Sequence, residues 1–490
     1  MTMNNVTKLF LGGMKWTGLS TIVVTVVQLM QFALLARLLS KEDFGLMGMI
    51  MVVIVFSQVF TDMGISSAIV HRQDLNKKHL SSLYWLNILA GIAVFAILLL
   101  IIPYIADFYN EPKLKDLLFY IAFIFLITPL GQQFQFLMQK ELKFNSLAKI
   151  EIVSVLLGST SAVLLAVLDY GVWSLVWGQI ITNSVKSLLL MMYGWRTWRP
   201  ALRFKTEDLK GYISFGAYQM GSRSVNYFAS NIDYILIGRF LGTEALGIYS
   251  LAYQLIVIPV TKINPVITKV AFPVFSLNQK NDEVINQGFI QMTKMLSFVT
   301  FPILIGLIAV SDILVPVVFG AKWVDAVPVI QILAVLGLLR VLMNPNGSVL
   351  LAKGRADLGF MWDLGVAIIN GLAIYMVVNQ GVLAVAIAYV AVSFINFVLG
   401  RKLLHYVTKL KAGDYFRSLK VPSIISILMA VIVYLLLLLS IQIGLQPSWI
   451  LLIALVLIGV LSYVFLAAQF DKNLFNKVLS MVLKRKAGKA

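Results

Sequence analysis

The chain has no cysteine and only three histidines in 490 residues. Without cysteine there is no disulfide, no thiolate metal site and no cysteine nucleophile. His71, His79 and His405 form no metal-like pair inside an apolar run. Charge is also scarce. Charged residues make up 13% of the chain, about half of what a soluble domain carries. No GxxxxGK[ST] phosphate loop occurs, so no motif marks ATP hydrolysis. No Ser/His/Asp set shares one depth. These absences exclude a soluble enzyme and a disulfide scaffold. They lead us to expect neither cofactor nor metal, and no catalytic residues.

What the chain has is apolar length. Hydrophobic residues are 60% of it and the mean hydropathy is +0.89. One bilayer crossing takes about 20 apolar residues. Fourteen runs qualify, at about 14–38, 44–70, 81–105, 117–137, 147–168, 172–193, 211–240, 246–276, 289–317, 328–351, 358–378, 382–404, 420–443 and 448–468. The runs at 211–240 and 246–276 are the most polar. Backbone in lipid must satisfy its own hydrogen bonds, which leaves helices or closed barrels. Barrel strands would alternate over about ten residues, and these runs do not. The expectation is an all-α polytopic membrane protein with 14 transmembrane helices. The first run is too long for a cleavable signal peptide.

The net charge is +18. In a soluble protein this would point to nucleic acid. Here the basic residues lie between apolar runs, so no nucleic-acid partner is expected. Alternate loops hold 27 Lys and Arg against four, Lys41, Lys113, Lys115 and Lys322, on the opposite side. That bias places both termini in the cytoplasm. The outer loops are short, which leaves no room for an external catalytic domain.

The chain repeats itself at an offset of 202 residues. Leu34–Gly48 reads LLARLLSKEDFGLMG and Leu236–Ser250 reads LIGRFLGTEALGIYS. Leu34, Arg37, Leu39, Glu42 and Gly45 recur as Leu236, Arg239, Leu241, Glu244 and Gly247. Six runs separate the copies, so both cross in the same direction. This implies two parallel six-helix lobes, at 1–205 and 206–410. The remaining 411–490 would hold two further helices and a basic tail.

The same offset aligns polar residues in the first helix of each lobe. Gln219, Arg223, Asn226, Ser230 and Asp233 share one face of the seventh run. Thr17, Thr21, Gln28 and Gln31 do so in the first run. Lipid penalises such stripes, so they face protein or water. They either hydrogen-bond between helices or line a central cavity. Arg223 lies about 18 Å into its run, near mid-depth. Arg340 is similarly deep. Lys262 and Lys15 are shallower candidates for the same cavity. Asp233 is the candidate carboxylate for ion coupling. Arg37 with Glu42, and Arg239 with Glu244, are read as structural or gate-closing ion pairs. The Asn344-Pro345-Asn346-Gly347 segment predicts a helix break beside Arg340.

Several segments resemble a known family. They are LLARLLSKEDFGLMG (34–48), LYWLNILAGI (83–92), GQQFQFLMQKELKFN (131–145), VFGAKW (318–323) and VLGLLRVLMNPNGSVLLAKGRAD (335–357). The chain resembles the polysaccharide-exporter branch of the multidrug/oligosaccharidyl-lipid/polysaccharide (MOP) flippase superfamily, nearest to the colanic-acid and teichuronic-acid exporters. The resemblance implies two lobes in a V plus two helices, in a bacterial cytoplasmic membrane. It implies alternating access for an undecaprenyl-pyrophosphate-linked sugar repeat unit. The cationic cavity for that anionic lipid-linked oligosaccharide maps onto Arg223 and Arg340, then Lys262 and Lys15, with Gln219, Asn226, Gln28 and Gln31 beside them. Membrane lipids, a polysaccharide polymerase and chain-length machinery are the implied partners. Two alternatives stay open. One is an ion-coupled drug antiporter of the same superfamily, the other a membrane polysaccharide polymerase.

Overall fold

The computed structural model describes residues 3–62, 77–209, 212–277, 279–472 and 474–476. Side chains are described for 15–61, 78–207, 209, 220–221, 223–262, 275–277, 279–355, 357–472 and 474–476. Among these residues every regular element is a helix. Thirteen stretches are long and apolar enough to cross a bilayer. The difference from fourteen lies in one place. The runs at 211–240 and 246–276 join in a single element, Tyr212–Leu277, of 66 residues. Held straight, it would reach about 99 Å, against a hydrocarbon core of about 30 Å. Gly242 interrupts it with φ 83 and ψ −170, a conformation glycine reaches without a Cβ clash. The turn that the sequence suggested as a short loop is thus compressed to one residue.

The chain divides into two compact units, Met1–Gly247 and Ile248–Ala490. This packing border falls beyond the repeat border at 205/206, because the residues before Gly247 pack with the first unit. The first unit holds α1 (Met3–Leu38), α2 (Lys41–Asp62), α3 (Lys77–Tyr109), α4 (Leu114–Ala122), α5 (Ile124–Lys140), α6 (Phe144–Val167) and α7 (Val172–Gly194). It also takes the first part of α8 (Tyr212–Leu277). Helix α6 lies against α1 and α7, α7 against α5, and α5 against α3. Small residues bring α6 and α7 together. A Cβ on Gly158 would stand 1.8 Å from the Thr182 hydroxyl, and one on Gly178 would stand 2.6 Å from Ala162. Close backbone approach is how membrane helices gain dispersion energy where lipid offers no hydrophobic drive.

The second unit continues with α9 (Asp282–Leu314), α10 (Ala326–Met343), α11 (Asn346–Ala352), α12 (Ala356–Val377), α13 (Val382–Thr408), α14 (Ala412–Gln442) and α15 (Trp449–Phe470). Asn281 caps α9, its side-chain oxygen accepting from the Glu283 and Val284 N–H groups at 3.1 and 3.2 Å. Helix α9 packs against α10 and α14, and α14 against α15. Val310, Ile313, Val433, Leu437, Leu452 and Leu455 form a core shared by α9, α14 and α15. The two C-terminal helices are therefore built onto α9. An ion pair closes the far end, with Lys294 Nζ 2.5 Å from Asp471 Oδ2 just past α15.

Candidate functional site

The repeat meets itself inside the first unit. A Cβ on Gly45 would lie 1.8 Å from the Thr243 carbonyl oxygen, and one on Gly247 would lie 1.9 Å from the Lys41 carbonyl oxygen. Lys41 and Thr243 stand 202 residues apart, as do Gly45 and Gly247. The contact is reciprocal, as a two-fold relation between the copies requires. Both glycines are needed because any side chain would drive one backbone out of the other. Charged side chains of both copies gather at this crossing. Glu244 pairs with Lys41, Nζ to Oε1 at 3.1 Å. Arg239 instead donates to the Phe108 carbonyl at 2.5 Å, with its guanidinium 5.4 Å from the Phe108 ring. At the head of α2, the Asp43 carboxylate accepts from the Ser40 N–H and hydroxyl at 2.9 and 3.0 Å. Arg37 and Glu42 both stand exposed at this end.

Arg223 lines a cavity of about 480 Å³ in the first unit. Helix α2 supplies Gln58 and Thr61, α5 supplies Phe125, Thr128 and Gln132, and α7 supplies Asn183. Two neighbours fix Arg223 there. Tyr227 donates its hydroxyl to the Val52 carbonyl of α2 at 2.7 Å. Phe228 packs against Phe56 with ring centroids 4.7 Å apart. Gln132 is held by Asn87, whose amide donates to it at 3.4 Å. The Thr128 hydroxyl beside the cavity is buried with no hydrogen-bond partner. One cation, several amides and hydroxyls, and the Phe125 and Phe136 rings can together hold an anion beside a polyhydroxylated body. The sequence did not mark Gln58, Thr128, Gln132 and Asn183. Their one legible sign was a polar side chain inside an apolar run, which also describes ordinary helix-to-helix glue.

Arg340 has a different setting, in the second unit. It donates from Nη1 to the Tyr253 hydroxyl and from Nη2 to the Tyr389 hydroxyl, each at 2.7 Å. Its guanidinium carbon lies 5.2 and 5.4 Å from the two ring centroids. The predicted break is present, with α10 ending at Met343 and α11 starting at Asn346. Arg340 falls in the last turn of α10. A cation at a helix C-terminus is favoured by about 0.3–2 kcal/mol. Behind the break sits Arg401, near the end of the run at 382–404. The structure buries it in α13 at 7% exposure. It donates from Nη2 to Asn346 at 2.5 Å and stacks within 5.4 Å of the Phe289, Phe397 and Tyr415 rings.

The other expected site residues are spread out. Asn226 and Gln28 are exposed, as are Lys15 and Lys262. Gln31 accepts from the Ser159 hydroxyl at 2.7 Å, which makes it a link between α1 and α6. Thr21 donates to the Thr17 carbonyl at 2.8 Å, so that part of the stripe is satisfied within its own helix. Asp233 is fully buried and accepts from the Tyr234 N–H at 3.0 Å. It does not line the Arg223 cavity. The side chain of Gln219 lies outside the described residues. Among the described residues no group of His, Asp and Glu could hold a metal.

Thirteen long apolar helices among the described residues, with an arginine-lined cavity in the first unit, define a polytopic membrane protein. In fold the chain is similar to "Lipid II flippase MurJ, inward closed conformation", with a TM-score of 0.75 at 16% identity over 93% of this chain and 99% of that one. Residues 34–328 match the family described as "Polysaccharide biosynthesis protein", and the chain belongs to it. It is 45% identical to the teichuronic acid biosynthesis protein TuaB of Bacillus subtilis (strain 168), over 97% of this chain and 99% of that one. It is 35% identical to the lipopolysaccharide biosynthesis protein WzxC of Escherichia coli (strain K12), over 79% of each. The likeness to teichuronic-acid and related polysaccharide proteins read from the sequence stands.

Proposed function

We propose that this chain is a flippase that carries a lipid-linked anionic oligosaccharide repeat unit across the bacterial cytoplasmic membrane for surface polysaccharide synthesis. The observation that carries the reading is the Arg223 cavity, in a family of polysaccharide biosynthesis proteins. Arg223 would take the phosphate or an acidic sugar, since a guanidinium binds such oxyanions in a planar fork. Gln58, Gln132 and Asn183 would take hydroxyl or amide groups of the sugar. A polyprenyl tail stays in lipid while the head moves by alternating access. The chain acts without a catalytic step of its own. Lys15 and Lys262 serve as outlying cationic contacts, and both termini are cytoplasmic. Asp233 remains our candidate for ion coupling, with the polymerase and chain-length machinery as downstream partners. An exporter of drug cations would want acid at the cavity, and Arg223 has the opposite sign.

The test uses a strain lacking the gene, complemented with wild type or Arg223→Ala. The variant is expected to reach the membrane at normal level, abolish polymer at the surface and accumulate lipid-linked intermediates. Full export by Arg223→Ala would overturn the assignment of the cavity.

A further inference from the structure

A second cavity, of about 550 Å³, opens in the second unit. Its walls are Phe301 of α9, Leu342 of α10, Phe397 of α13, and Phe416 and Leu419 of α14. Its polar members are Arg417, Lys420 and Ser423, all on α14. Phe301, Leu342, Phe397 and Leu419 are buried, while Phe416 is half exposed. Arg417 and Lys420 are exposed. The cavity therefore has an apolar interior and a doubly cationic rim.

Its depth in the membrane follows from the sequence of α14. Val421–Ile441 is an uncharged stretch of 21 residues, about 31 Å long. That matches the hydrocarbon core of about 30 Å. Lys420 and Arg417 then stand just outside the core, at the level of the lipid headgroups. A third positive charge lies behind the wall. Phe397 lines the cavity and also lies 5.2 Å from the guanidinium of the buried Arg401.

We infer that this cavity is a binding site for an anionic phospholipid of the surrounding bilayer. The phosphate sits on Arg417 and Lys420, with Ser423 donating to a phosphate or ester oxygen. The start of an acyl chain enters between Phe301, Leu342, Phe397 and Phe416. The charges select for an anionic headgroup, and the apolar interior selects for a ligand that carries a chain. Phospholipid is the anion that the headgroup layer presents to this rim in bulk. This site is separate from the Arg223 cavity and does not depend on what the chain transports.

The test uses the purified full-length protein in detergent, with phosphatidylglycerol and phosphatidylcholine of the same acyl chains as probes. Native mass spectrometry counts retained lipid, and thermal unfolding reads the stabilisation. Wild type is expected to retain phosphatidylglycerol over phosphatidylcholine and to melt a few degrees higher with it. The double variant Arg417→Ala/Lys420→Ala should weaken that retention roughly tenfold. Ser423→Trp, which fills the cavity and leaves both charges, should do the same. Equal retention of the two lipids by wild type, or unchanged retention by both variants, would overturn the site. Two further probes separate other occupants. Stabilisation by inorganic phosphate alone would remove the acyl chain from the proposal. Displacement of phosphatidylglycerol by equimolar undecaprenyl phosphate would assign the cavity to a polyprenyl carrier, and the phospholipid proposal would fall.

Discussion

Arg223 and Arg340 look alike in the sequence and differ in the structure. Each is a lone arginine near the middle of an apolar run. Arg223 lines a cavity among amides, hydroxyls and an unpartnered threonine. Arg340 has two tyrosine hydroxyls at 2.7 Å and two rings within 5.4 Å. Both arrangements answer the cost of a charge in the membrane. The first places the cation at a cavity, which is the basis of the binding role proposed for it. The second commits it to the protein, where it stiffens the end of α10 beside the Pro345 break. Depth alone therefore does not separate a ligand-binding arginine from a structural one. Their surroundings do, a cavity in one case and two tyrosines in the other.

Export assays should separate the two most strongly. Arg223→Ala should lower polymer export by more than about tenfold, because a lost charge-assisted contact to phosphate is worth about 1.5–3 kcal/mol. Its melting temperature should stay within about a degree of wild type. Arg223→Lys keeps the charge and loses the fork, so partial export is expected. Normal export by the alanine variant, or a melting temperature that collapses with it, would remove the contrast.

The second contrast is in stability. Arg340→Ala strips a charged donor from two tyrosine hydroxyls and a cation from two rings. We expect a loss of about 3 kcal/mol, from hydrogen bonds to a charged group and cation–π contacts together. Tyr253→Phe or Tyr389→Phe should cost about 1 kcal/mol each. Denaturation of the purified variants measures this. An Arg340→Ala protein as stable as wild type but dead in export would move Arg340 to the ligand-binding side of the comparison.

These contrasts mark how far the sequence could be read. Hydropathy placed the spans, because crossing length is a property of each segment alone. The polar runs at 211–240 and 246–276 joined at Gly242, since a one-residue turn leaves almost no polar signature. The 202-residue repeat predicted related hairpins, and its glycines do meet reciprocally. In the second copy the charges did not follow local spacing. Glu244 pairs with Lys41, which is distant in sequence, while Arg239 is taken up by a carbonyl. Arg223 was legible because a mid-run arginine is rare. Its cavity partners were not, because amides on α2, α5 and α7 converge only through packing. The setting of Arg401 was not legible either, because its box of rings comes from three separate helices.

A smaller effect tests how the C-terminal helices are held. Burial pushes the Asp471 carboxyl up, but the Lys294 ammonium and the Leu474 N–H outweigh it and hold it below the usual carboxylate range. A depressed pKa in the folded state means that the pair adds stability above the unfolded carboxylate pKa, near 3.9. That contribution is lost as pH falls through the folded value. Asp471→Asn should thus cost about 1 kcal/mol at neutral pH, a penalty that fades as pH falls through the folded-state value. A constant penalty across pH would mean that the charge on Asp471 is not what joins α15 to α9.

The smallest expected effect concerns the point where the two repeats touch. Glu244 is 58% exposed and Lys41 15% exposed. An exposed pair of this kind is worth about 0.2–1 kcal/mol and is screened by salt. The backbone contact at Gly45 and Gly247 has no such slack, because an added Cβ would fall within 2 Å of a carbonyl oxygen. Lys41→Ala should change stability by less than about 1 kcal/mol, and by less still at 1 M salt. Gly45→Ala should cost several times more, since the backbones must separate to admit the methyl group. Comparable losses from the two variants would mean that the ion pair, and not the glycine crossing, holds the repeats at this point.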